Sequence, residues 1–326
     1  MKKNSIRIFQ VIISSLLLTY LIIIFKDDFS LTLFKILNPS YLFLSAIIVI
    51  FILPYIGVNR WKYFLKLIGI NENFLLLYKI SVISDFYGLF LPSNSGFLAF
   101  KIYFIEKLNP EKIGKGGSTI IFSKISGLII MCIMGIIGSF LVDIPKIWTI
   151  RAIIISISII LFSIILIIKF KPTIFENLSN KFKNKYLQKL ASYFNKLYKA
   201  ISEFPFLKAF VNSFPLIVIF QLCTILNVYI LFNVFGVNVP FLYNLAILPI
   251  IYIVTLIPVS ISGLGVREGL FVYFFGLVGV EPSVALVVSL SNYLILSVTP
   301  AIIGGILSIF SPVIKKEVAQ MRSANE

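Results

Sequence analysis

The sequence predicts an all-α polytopic membrane protein, and three observations carry that prediction. Apolar residues make up 59% of the 326-residue chain and charged residues only 13%, where a soluble domain carries about a quarter charged. The mean hydropathy is +1.02, more apolar surface than a soluble core absorbs. Apolar runs recur near 8–25, 40–58, 73–92, 118–142, 148–170, 211–235, 241–258 and 283–310, with a shorter one near 264–280. A spanning helix needs roughly 20 such residues. The expected architecture is one membrane domain, 1–326, with about six full spans and two re-entrant helical hairpins.

The first run follows Lys2, Lys3 and Arg7 and ends at Phe25, before Lys26-Asp27-Asp28. A basic start and an apolar run resemble a signal peptide, but no small-residue cleavage site follows, so the run reads as a retained helix. The other runs are placed by loop charge, because cytoplasmic loops carry the excess of Lys and Arg. Arg60, Lys62 and Lys66 mark 59–72 as a cytoplasmic turn. The segment 171–210, with eight lysines against Glu176 and Glu203, reads as a basic cytoplasmic linker, amphipathic or partly disordered, on the membrane surface. Lys315, Lys316 and Arg322 place the C-terminal tail inside as well. The connections at 26–39 and 143–147 are nearly neutral and are expected outside.

These placements conflict unless 73–108 enters from the cytoplasm and returns to it, and 241–280 does the same from outside. Both segments carry a helix break. The first reads Leu91-Pro92-Ser93-Asn94-Ser95-Gly96 and the second Ile257-Pro258-Val259-Ser260-Ile261-Ser262-Gly263-Leu264-Gly265. Proline and glycine interrupt the helical ladder, and irregular backbone at membrane depth is tolerated only inside protein or beside a wet cavity. Lys101 lies nine residues after Pro92, and Arg267 nine after Pro258. The chain thus divides into two similar units of opposite orientation, about 1–142 and 148–310. Such inverted repeats place transporter substrates at the repeat interface near the midplane.

The second break is the strongest site signal. A helix beginning near Gly263–Gly265 presents partly positive amides, Ser262 and the glycines let a headgroup approach closely, and Arg267 beside Glu268 adds a planar donor suited to phosphate. The alternative is that Arg267 and Glu268 are solvated at a loop end. In the first unit, Asn94, Ser95 and Gly96 occupy the equivalent break, with Lys101 beyond; Lys101 reads equally as an interfacial lysine extending to water. Asp85 and Lys124 fall within apolar segments, where ionisable groups face a cavity or a partner. Lys124 is expected to pair with Asp85 or with a lipid phosphate.

Other chemistry is excluded or unsupported. The chain has no histidine, which removes His-based triads and His metal sites. Intramembrane carboxylates are too few for paired-acid catalysis or an oxygen-rich metal cage, so no enzyme activity, metal or cofactor is expected. Cys132 and Cys223 lie in apolar runs and read as small core residues. The net charge of +16 fits basic loops against anionic lipid rather than nucleic acid, since no soluble basic domain is apparent.

The run Ile257-Pro-Val-Ser-Ile-Ser-Gly-Leu-Gly-Val-Arg-Glu-Gly269, with Gly279, Ala285, the Asn59-Arg60-Trp61 turn and the Leu91-Pro92…Gly96 break, resembles the lysylphosphatidylglycerol synthase transmembrane-region family, also described as flippase-like or UPF0104 membrane proteins. The resemblance covers nearly the whole chain. It implies a membrane domain that moves or handles polar lipids, sometimes fused to a soluble aminoacyl-transferase; no such domain is read before Glu326. Two positions depart from the family pattern. The first break usually reads Gly-Gly-Asp followed by arginine, and here stands Ser95-Gly96-Phe97 with Lys101. A later Asp-Arg pair is Ser123-Lys124 here. With both aspartates replaced, the resemblance does not carry over a cationic aminoacyl lipid as substrate.

The function expected is a lipid translocase or lipid-carrier handling protein in the cytoplasmic membrane, multi-pass, with both termini cytoplasmic. Its partners are membrane lipids with an anionic or phosphate-bearing headgroup, and an envelope-biosynthesis enzyme is a candidate partner. The alternatives are an integral glycosyltransferase or accessory subunit of envelope glycolipid synthesis, and a non-transporting scaffold.

Overall fold

A computed structural model describes Thr19 and residues 38–89, 96–143, 147–170, 185–256, 260 and 263–310. The expected first span at 8–25, residues Pro92, Asn94, Ser95, Pro258 and Ser262, the first part of the basic linker and the tail lie outside these residues. Among them every regular element is helical. Among the described residues four helices are long and apolar enough to cross a membrane: α1 (Pro39–Leu67), α4 (Lys115–Leu141), α7 (Phe206–Val234) and α10 (Pro282–Phe310). At 1.5 Å per residue the 29-residue helices reach about 43 Å, against about 30 Å of hydrocarbon.

The turn expected at 59–72 is mostly helix. Apolar residues at helical spacing, Leu53, Ile56, Trp61, Phe64 and Leu65, carry α1 through to Leu67 and bury that face. Arg60 is therefore an interior helical residue. Both α1 and α10 contain a one-turn π segment, at Ile48–Ile52 and Leu294–Val298. Pro54 and Pro300 follow closely, and a residue without an N–H favours such a local widening of the ladder.

Each expected break separates two short helices. In the first unit these are α2 (Phe74–Leu89) and α3 (Gly96–Leu108), which pack against each other. In the second they are α8 (Phe241–Val254) and α9 (Val266–Gly276). None of the four is long enough to cross 30 Å alone at 1.5 Å per residue. Helix α5 (Ile147–Phe170) joins the two halves.

The packing between halves is reciprocal. Helix α2 lies along the C-terminal part of α10, and α8 lies along α4. Glycine makes both approaches possible. A Cβ on Gly138 of α4 would come within 2.7 Å of the Ala246 nitrogen in α8, and one on Gly304 of α10 would overlap the Val82 carbonyl in α2. Gly138 lies thirty-seven residues after Lys101, and Gly304 the same distance after Arg267. Close backbone approach at small residues is how membrane helices gain packing energy without a hydrophobic driving force.

The basic linker ends earlier than expected, since α7 starts at Phe206. Within it, α6 (Lys185–Glu203) is an amphipathic helix packed on the first turns of α4. Buried Leu197 and Tyr198 face inward while Lys196 and Lys199 stay exposed. The α4 N-terminus is capped by Glu106 of α3, whose Oε1 accepts the Gly114 and Gly117 N–H groups at 3.0 and 2.9 Å. Burial and this neighbouring carboxylate raise the Tyr193 phenol of α6 above its ordinary range.

Candidate functional site

The long helices and the two broken segments surround one cavity of about 480 Å³. Four cations line it: Arg60 of α1, Lys101 of α3, Lys124 of α4 and Arg267 of α9. Asp85 of α2 is the acid among its described lining residues. Charged side chains among apolar spanning helices are costly and usually face a cavity or a partner.

Arg60 is only 7% exposed. Its Nη2 donates to Ser123 Oγ at 3.0 Å, and its guanidinium lies 5.0 Å from the Phe220 ring centre. Its Nε and Nη1 have no hydrogen-bond partner among the described residues. The next residue, Trp61, donates its indole N–H to Thr119 Oγ1 at 3.0 Å and presents its ring to Lys101 Nζ, 4.0 Å from the centroid. That arrangement fixes a cation over an aromatic face. Lys101, Lys124 and Asp85 line the same cavity.

The second half is built differently. Gly265 takes φ +83° at the start of α9, a left-handed conformation that favours glycine. Its N–H donates to Glu268 Oε2 at 2.6 Å. Glu268 is fully buried, and its Oε1 accepts from Arg267 Nη2 at 2.6 Å, Arg267 Nε at 3.0 Å and Ser289 Oγ at 3.1 Å. The guanidinium, 4.7 Å from the Tyr293 ring centre, therefore has one edge committed to Glu268. Another chain of buried polar groups runs from α1 to α8: Ser45 Oγ donates to Asn227 Oδ1 at 2.7 Å, Asn227 Nδ2 to Asn292 Oδ1 at 3.0 Å, and Asn292 Nδ2 to the Tyr252 hydroxyl at 3.3 Å. Asn292 and Tyr252 both line the cavity.

Of the residues singled out in the sequence, Asp85, Lys101, Lys124 and Arg267 converge on this cavity. Glu268, Gly263 and Gly265 stand behind Arg267 and position it, with Gly263 at φ +73°. Gly96 opens α3. Sequence reasoning passed over Arg60, Trp61, Gln221, Tyr252 and Asn292. Gln221, whose amide donates to the Gly127 carbonyl at 2.8 Å, is a lone polar residue in a spanning helix, which is itself a signal.

The model of the lysylphosphatidylglycerol synthase TM region matches residues 7–304. The chain belongs to this family. It is also 26% identical over 304 residues to the UPF0104 membrane protein MJ1595 of Methanocaldococcus jannaschii, covering 86% of this chain and 87% of that protein. No solved structure matches. The resemblance read from the Pro258–Gly269 run is therefore a family relationship across most of the chain. Family membership and four helices able to cross a bilayer make this a multi-pass membrane protein, in a family named for the membrane region of a lipid synthase.

Proposed function

We propose that this member of the lysylphosphatidylglycerol synthase TM-region family translocates a lipid with a polar, anionic headgroup across the cytoplasmic membrane. The headgroup occupies the central cavity while the acyl chains remain in the bilayer. The observation that carries this reading is the convergence of Arg60, Lys101, Lys124 and Arg267 on one cavity between two broken helical segments. A cationic pocket among spanning helices lowers the barrier to moving an anion through hydrocarbon, and discontinuous helices are the usual framework for such a site. The reaction makes and breaks no covalent bond. In this reading α2–α3 and α8–α9 are re-entrant hairpins of an inverted repeat, six helices span fully, and both termini are cytoplasmic. The reciprocal packing of α2 on α10 and α8 on α4 supports the repeat.

The test is a headgroup-resolved translocation assay in proteoliposomes, with fluorescent phosphatidate and phosphatidylglycerol and an impermeant quencher. The purified protein should move at least one of these faster than protein-free vesicles, and Lys101→Gln combined with Arg267→Gln should return the rate to background. A wild-type rate equal to that of empty vesicles for every anionic lipid offered would remove the proposal.

A further inference from the structure

The four cavity cations are not equivalent, and their pairing bears on which ligand the cavity suits. Arg267 is neutralised by Glu268 at 2.6 Å. Lys101 shares the cavity lining with Asp85, the acid among the described lining residues. Arg60 and Lys124 have no acidic partner among the described residues. Arg60 moreover holds two guanidinium nitrogens buried without any hydrogen bond among the described residues, although its Nη2 is fixed on Ser123, the residue adjacent to Lys124. A buried guanidinium with unmet donors is costly, and replacing such a group by an apolar one is often neutral or stabilising. Such a group beside a second cation with no acidic partner among the described residues fits a binding element.

Resting on the lipid-handling reading above, we infer that Arg60 and Lys124 form the phosphate-binding pair of this cavity and that the pair selects a headgroup carrying two negative charges: a terminal phosphomonoester or a diphosphate rather than a simple phosphodiester. Two positive charges without an acidic partner among the described residues are balanced by a dianion and only half balanced by a monoanion. Arg60 supplies a planar, delocalised charge with donor capacity beyond its bond to Ser123, and Lys124 supplies a point charge. A cationic aminoacylated headgroup would add charge of the wrong sign. The cavity, at about 480 Å³, has room for a diphosphate and its water. Arg267 is balanced by Glu268 and Lys101 is matched in formal charge by Asp85, so the two add no net charge.

The experiment is equilibrium binding to the purified full chain in detergent at about pH 8, where a phosphomonoester is doubly ionised. The probes are dilauroyl phosphatidate, dilauroyl phosphatidylglycerol and inorganic pyrophosphate. Phosphatidate should bind about tenfold or more tighter than phosphatidylglycerol, as one extra charge-assisted contact requires. Arg60→Met and Lys124→Met should each remove most of that preference. Arg60→Met should at the same time leave the ligand-free protein at least as heat-stable as wild type, which a merely structural arginine would not do. Pyrophosphate binding that depends on Arg60, without phosphatidate binding, would keep the dianion site but assign it to a soluble phosphate and so count against lipid translocation. Equal affinity of wild type for phosphatidate and phosphatidylglycerol, or a preference unchanged in both variants, would overturn the inference.

Discussion

The Glu268→Gln substitution removes one atom's worth of charge and tests the second half of the site. The wild-type carboxylate accepts four hydrogen bonds, from Gly265 N–H, Arg267 Nε, Arg267 Nη2 and Ser289 Oγ. A carboxamide has a single acceptor oxygen. If that oxygen faces Arg267, its NH₂ meets the Gly265 N–H, donor against donor; if it is turned, the NH₂ meets the guanidinium. Either way Arg267 is left buried without its counter-charge. Breaking a buried pair from one side costs about 3–5 kcal/mol, whereas replacing both members by apolar residues is often neutral. Glu268→Gln should therefore lower stability by several kcal/mol, and Arg267→Met combined with Glu268→Met should recover most of it. The assay is reversible unfolding in mixed micelles, carried out as a double-mutant cycle. Wild-type stability in Glu268→Gln, or strictly additive effects of the two methionine substitutions, would refute the claim that Glu268 holds Arg267 in place.

Three further outcomes follow from the packing and topology. Gly304→Leu and Gly138→Leu should both destabilise by at least the 1–3 kcal/mol typical of overpacking, because the obstructing atoms are backbone; Gly269→Leu, with open space at its Cβ, should be tolerated, as thermal unfolding of the purified variants will show. Glu106→Ala should cost about 1–3 kcal/mol for an unmade charge-assisted cap and accelerate amide exchange at Gly114 and Gly117, whereas unchanged exchange would contradict the cap. Gln188→Cys should be protected from impermeant thiol reagents in intact cells and labelled after permeabilisation; labelling from outside would reverse the assigned orientation.

Much of the fold was legible because the bilayer imposes a simple rule: long apolar runs become long helices. Proline and glycine at 92–96 and 258–265 disclosed that two apolar segments could not be straight spans, and helices do end on either side of both. What escaped was written in contacts between distant residues. Arg60 belonged to a three-cation cluster read by charge alone as a loop, and only its burial against Ser123 and Phe220 reveals a cavity residue. Asp85 was assigned to the correct region, but whether it meets Lys101 or Lys124 depends on the angle between α2, α3 and α4, which spacing does not encode. Likewise, Glu268 looked like an orienting neighbour of Arg267. Its second role, closing the first turn of α9 through the Gly265 N–H, needs the positive φ that the structure supplies.

The central claim is that a lipid headgroup occupies the cavity between the two broken segments. It is tested most directly by placing a photo-crosslinking benzoylphenylalanine at Leu128, which lines the cavity, and another at Phe51, which is exposed on the outer face of α1, and irradiating native membranes. Mass spectrometry should then find a phosphate-bearing lipid adduct at position 128, enriched over the bulk lipid composition captured at position 51. Lipid adducts at 51 with none at 128 would contradict the account.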